Sequence, residues 1–133
     1  MTAFLKEQKV LKELQKGVQS MKTFVYPSVL QKQAMPPLKK ANGAKNVILR
    51  YREMNGIKLT VLLPTLHNQI KSSIMAQAAD PTSPPVASLV LCSSQLRASQ
   101  MYDFATELTV FCNEIVEVVN IDDSQDNAIA KLQ

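Results

Sequence analysis

The stretch KNVILRYREMNGIKLTVLLP, residues 45–64, decides how the chain is read. It opens on the apolar run Asn46-Val47-Ile48-Leu49, the length of one buried strand. Past a loop holding Gly56, the residues Leu59, Leu62, Leu63, Leu66 and Ile70 fall on one face of a helix. Strand, loop and helix in that order form the layout in which a phosphate is held, with backbone N–H groups and a helix start supplying positive potential. The working motif is G-x-x-x-x-G-K-[ST], whose Lys neutralises the terminal phosphates and whose Ser/Thr positions Mg²⁺. Here Ile57 stands in the place of that Lys and Lys58 in the place of the Ser/Thr. The frame is present without its chemistry.

Outward from this stretch, 133 residues suit one domain with a real core. No apolar run approaches the roughly 18 residues needed to cross a bilayer, and the charged start MTAFLKEQKV argues against a signal peptide. Cys92 and Cys112 share neither metal spacing nor a disulfide-rich setting, so reduced thiols in a cytoplasmic or nuclear protein are expected. His67, without a carboxylate or Cys motif nearby, reads as a surface helix residue. Residues 1–75 carry 13 Lys/Arg against 3 Asp/Glu, and residues 76–133 carry 2 against 8. A basic half suits a polyanion or an acidic partner. Lys6, Lys9, Lys12 and Lys16 read as a solvated helix face; Lys39, Lys40, Lys45, Arg50 and Arg52 gather around the loop.

In chain order, Val10, Leu11, Leu14, Val18 and Met21 predict an amphipathic helix within residues 4–21. Pro27 extends Tyr26, and Ser28 caps a helix carrying Leu30, Ala34 and Leu38, which Pro36 and Pro37 shorten or bend. Asn42-Gly43 predicts a turn. The helix after Gly56 should run to about Ile74 or Met75, followed by an exposed linker over residues 80–85. Val86–Cys92 and Glu114–Ile121 predict a second and a third strand. Between them Ala98, Met101, Ala105, Leu108 and Cys112 predict a helix over 95–111. Residues 122–126 read as a loop, and 127–133 as the start of another helix. Strands alternating with helices predict right-handed βαβ units in a parallel sheet.

Phe24-Val25-Tyr26-Pro27-Ser28-Val29-Leu30-Gln31 matches, position by position, the pattern F-x-x-P-[TS]-x-[IL]-Q of the Q motif. On this segment and the two that follow, the chain resembles the first half of the N-terminal RecA-like domain of DEAD-box RNA helicases. The resemblance covers nearly the whole chain, with Phe4 in the place of the upstream aromatic. The run from Leu14 through Met21 to Pro37 leans toward the mRNA-export branch. The likeness implies that Phe24 packs on adenine, Gln31 hydrogen-bonds its edge and Ser28 positions the loop. A Gln amide offers the adjacent donor and acceptor that such an edge requires. In the same register the family's A-x-T-G-S-G-K-T falls on residues 51–58, of which only Gly56 is kept. Met54 replaces a glycine, and Glu53 places a negative charge toward an anion. Val90–Gln100 stands where motif Ia, V-L-x-P-T-R-E-L-A-x-Q, touches RNA. There Ser94 can donate to a phosphate or cap a helix, while Gln95 replaces the Arg and Arg97 points about 200° away along a helix.

The resemblance thus implies an α/β fold, a three-layer RecA-like parallel sheet flanked by helices and incomplete relative to the family. Its parts would be an N-terminal helix (1–22), the Q-motif segment (23–38) and a βαβαβ core (45–133). No D-E-A-D follows, and Asp122-Asp123 differ in spacing, so the parts of phosphoryl transfer are missing and no enzyme is expected. The expected function is a non-catalytic RNA-binding or ribonucleoprotein scaffold. An adaptor without RNA affinity, or a fragment of an ATP-dependent helicase, is the alternative. Phe24, Ser28, Gln31 and Gly56 would mark a vestigial ATP site, with no cofactor or metal required. Lys39, Lys40, Arg52, Ser94 and Arg97 would contact nucleic acid. A protein partner or self-association would cover the open sheet edge, with no membrane involved.

Overall fold

The computed structural model describes residues 1–40, 46–52, 56–82, 88–112 and 114–121, and these form five helices. They are α1 (Thr2–Glu7), α2 (Lys12–Ser20), α3 (Val29–Lys40), α4 (Ile57–Ala79) and α5 (Gln95–Leu108). The expected α/β, RecA-like parallel sheet is not formed: the described residues contain no strand. The open sheet edge that a partner was to cover goes with it.

The reason lies in which residues close the core. One apolar cluster joins Leu5, Val10, Leu14, Val18 and Met21 to Met35, to Leu59, Leu62, Leu63, Leu66 and Ile70, and to Ala105, Leu108, Cys112 and Val116. Helices and the turns that follow them supply almost all of it. Of the residues read as strands, Val116 is buried and Val118 packs beside it, while Ile48, Leu89 and Leu91 are 96%, 73% and 85% exposed. Parallel strands pay off only where helices cover both faces of the ladder. Here α4 packs along α3 and against α5, and α5 packs against α2. The helix faces that a sheet would need are already spent on other helices.

The periodicities expected for the helices after Gly56 and after Ser94 hold, whereas α3 buries Gln31, Ala34 and Met35 rather than the face of Leu30, Ala34 and Leu38. α4 buries Leu59, Leu62, Leu63, Leu66 and Ile70, and extends past the expected end to Ala79. α5 buries Ala105 and Leu108. Pro36 and Pro37 lie inside α3, which runs past them to Lys40 and is not cut short there, and Pro64 lies inside α4. The linker's described part, Asp80–Thr82, is exposed, with the Asp80 carboxylate accepting from the Thr82 N–H at 2.9 Å. The expected Asn42-Gly43 turn and the segments over 83–87 and 122–133 lie outside the described residues.

The single N-terminal helix expected over 4–21 is instead two. After α1 the chain turns through Lys9, at φ 50°. The Lys9 N–H donates to the Lys6 carbonyl (2.9 Å) and the Val10 N–H to the Leu5 carbonyl (3.1 Å). These two bonds make a Schellman motif, and Leu5 and Val10 supply its apolar contact within the core. Glycine ordinarily holds the left-handed position. α2 then approaches α5 so closely that a Cβ on Gly17 would collide with the Leu108 carbonyl. No described helix is long and apolar enough to cross a membrane.

Candidate nucleic-acid interface

Phe24, Ser28, Gln31 and Gly56 are brought together in space, by bonds that are structural in kind. Ser28 opens α3: its Oγ accepts from the Gln31 N–H at 3.2 Å, and the Gln31 Oε1 accepts from the Ser28 N–H at 2.9 Å. This reciprocal pair is a capping box. The Gln31 Nε2 reaches the Gly56 carbonyl at 3.5 Å, a weak bond at that length. Gly56 itself adopts φ 69° at the start of α4, and a Cβ there would lie 2.6 Å from the Gln31 Nε2 and 3.9 Å from the Phe24 ring. Phe24 stands edge-on to Phe104 with ring centroids 6.0 Å apart. Gln31 is 2% exposed. In this conformation its amide edge serves the α3 cap and the α3–α4 contact.

A different set of groups faces outward. Arg50, Tyr51 and Arg52, from the non-helical segment 46–52, line a cleft of about 550 Å³ with Val29, Leu30 and Gln33 of α3. Two arginines, a tyrosine that is 44% exposed and a glutamine thus share one cleft lining. Of these three, the sequence singles out Arg52 as a candidate nucleic-acid contact and places Arg50 in the basic cluster around the loop, while Tyr51 is not among its candidate contacts. An aromatic residue between two arginines is the local signal that could have singled it out, since stacking and phosphate contact recur together in single-strand binding.

Lys39 and Lys40 occupy the last turn of α3, where cations suit the helix dipole. The Lys39 Nζ donates to the Gln8 carbonyl at the C-terminal end of α1. Burial lowers the Lys39 pKa from its ordinary value, and Lys71 and Lys9 lower it further. Ser94 caps α5, its Oγ accepting from the Arg97 N–H at 3.3 Å. Ser94 and Arg97 are exposed, at the start of the helix that packs on α2 and α4, and neither lines the cleft.

His67 is a correction. Read from sequence as a surface residue, it is 5% exposed, and its Nδ1 accepts from the Leu11 N–H at 3.3 Å. Burial lowers its pKa below 6.5, with Lys39 and then Lys71 adding to the effect. Cys92 and Cys112 are free thiols, and burial, then Glu13, raises the Cys112 pKa. Among the described residues no group of His, Cys, Asp and Glu gathers to hold a metal ion. No family model, no curated protein and no solved structure matches the chain.

Proposed function

We propose that the chain is a non-catalytic module that binds single-stranded RNA, gripping backbone phosphates with Arg50 and Arg52 and stacking a base on Tyr51. The observation that carries this reading is the cleft itself, where these three side chains meet Gln33 and the α3 surface. Guanidiniums match phosphate oxygens bidentately, and aromatic stacking accepts any base. The net charge of +4 and the surplus of cations in the first half add long-range attraction. Binding without turnover is supported by Ile57 and Lys58, which replace the ammonium and hydroxyl that nucleotide hydrolysis would require. Two free thiols suit a cytoplasmic or nuclear setting.

The resemblance to DEAD-box helicases enters this proposal at the level of residues. Phe24, Ser28, Gln31 and Gly56 do form one cluster, and adenine could engage Gln31 only by displacing its internal bonds. Reading the chain as a protein-interaction adaptor has its own support in the exposed Ile48, Leu89 and Leu91, since apolar side chains of this size in water mark contact surfaces when contiguous.

Titrating a labelled single-stranded RNA against the protein over a range of KCl separates the two. Each phosphate contact should contribute about −0.7 to the slope of log affinity on log salt. Arg50→Glu and Arg52→Glu should flatten the slope by about that amount each. Tyr51→Ala should weaken binding by roughly 1–3 kcal/mol, the scale of one stacked base, with the slope unchanged. Absence of binding at low salt, or slopes indifferent to Arg50 and Arg52, would leave the adaptor reading in its place.

A further inference from the structure

The aromatic side chains ahead of α3 divide between core and water. Phe24 packs against the core and stands edge-on to Phe104, whereas Tyr26, two residues on, is 83% exposed. An aromatic ring carries one of the largest apolar payloads of any side chain, and here little of it is used in folding. The backbone beside the ring is nonetheless held on both sides. The Val25 carbonyl accepts from the Met1 ammonium at 2.6 Å, and the Ser28 N–H donates to the Gln31 Oε1 at 2.9 Å. Pro27 between them fixes its own φ and disfavours the helical region for Tyr26. A ring in water on a held backbone offers a stacking surface without the cost of ordering a loop on binding.

This ring adjoins the Arg50–Arg52 cleft through the chain itself. Val29, which lines the cleft, is 69% exposed and only three residues from Tyr26. Three residues reach at most about 11 Å even when fully extended, and the tyrosine side chain adds its own length. Val29 opens α3, and Leu30 and Gln33 carry the cleft lining along it, so Tyr26 stands just beyond the cleft's end at the start of that helix. The cleft lining holds one aromatic residue, Tyr51. Single-strand sites stack successive bases on successive aromatic faces while cations track the backbone. Tyr26 supplies a second such face.

Resting on the reading of the cleft as an RNA site, we propose that Tyr26 is a second stacking platform, so that one strand places one base on Tyr51 and another on Tyr26. The ligand is then a stretch of at least two unpaired nucleotides. A duplex, whose bases are already paired and stacked on each other, does not fit this use of the two rings.

Affinity for a labelled oligouridine of about ten nucleotides, measured across a range of KCl, tests the platform. Tyr26→Ala should weaken binding about five- to a hundredfold, the worth of one stacked base. The salt slope should stay unchanged, because no phosphate contact is lost. Tyr26→Phe keeps the ring and should bind as wild type does. Both changes lie in solvent, so urea midpoints should not move. The chain has three tyrosines and no tryptophan, so tyrosine emission gives a second readout. Quenching by the RNA should shrink in Tyr26→Phe and in Tyr51→Phe, and stay whole in Tyr102→Phe on α5. Lost affinity in Tyr51→Ala but not in Tyr26→Ala overturns the second platform and leaves the cleft reading standing. An equal loss in Tyr26→Ala and Tyr26→Phe makes the hydroxyl the contact and overturns stacking. If RNA does not bind, or binds with indifference to both tyrosines and both arginines, the cleft reading falls and this one with it.

Discussion

His67 is the one imidazole in the chain, and its surroundings fix its charge. Burial disfavours the cation, Lys39 and Lys71 oppose it further, and a proton on Nδ1 would face the Leu11 N–H that now donates there. The folded-state pKa therefore lies below the unfolded value of 6.5. Just below pH 6.5 the unfolded chain binds more protons than the folded one, so stability falls as pH falls through that window. The loss is complete once pH is under the folded pKa, and above 6.5 His67 contributes no pH dependence. A proton NMR titration of the single imidazole should give a midpoint below 6.5 in the folded protein. A midpoint at or above 6.5 would contradict the buried, neutral ring. Melting from pH 7.5 down to 5 should show a decline that His67→Gln makes shallower.

At the scale of elements, α3 begins where it does because Ser28 and Gln31 satisfy each other's backbone N–H groups. Ser28→Ala should cost about 1 kcal/mol, the usual worth of a cap. Gln31→Ala should cost about 1–3 kcal/mol, because it leaves the Ser28 N–H without its acceptor and opens a gap beside Gly56. The bonds are reciprocal, so the double variant should cost less than the sum of the two by about 0.5 kcal/mol or more. Urea denaturation of the four proteins measures this, and strict additivity would deny the box. The pattern was legible in the sequence as F-x-x-P-S-x-L-Q, while the burial of its glutamine was not, since that depends on Gly56 arriving from another helix. α4 and α5 were legible because Leu59, Leu62, Leu63, Leu66 and Ile70, and Ala105 and Leu108, repeat at helical spacing. The break between α1 and α2 was not. Its left-handed residue is Lys9, and neither glycine nor proline announces it.

Over the whole molecule, the short apolar runs misled because length alone cannot tell a buried strand from extended chain. Val47, Ile48, Leu89 and Leu91 have strand-like composition, yet the helices close the core without them. The same packing sets α2 against α5. A helical core and a sheet core make opposite demands on two positions. If the helices alone hold the fold, Ile48→Lys and Leu91→Lys exchange one exposed side chain for another, and each should change stability by no more than about 0.5 kcal/mol. In a parallel sheet, both would bury an ammonium between layers and unfold the domain. Leu63→Ala supplies the scale: Leu63 is fully buried on α4, and its truncation should cost about 2–5 kcal/mol. Urea midpoints for the three variants, taken at one pH, settle the matter by rank. Leu63→Ala falling furthest, with the two lysine variants near wild type, is what a helical core requires. A collapse of Ile48→Lys or Leu91→Lys would return the core to a sheet.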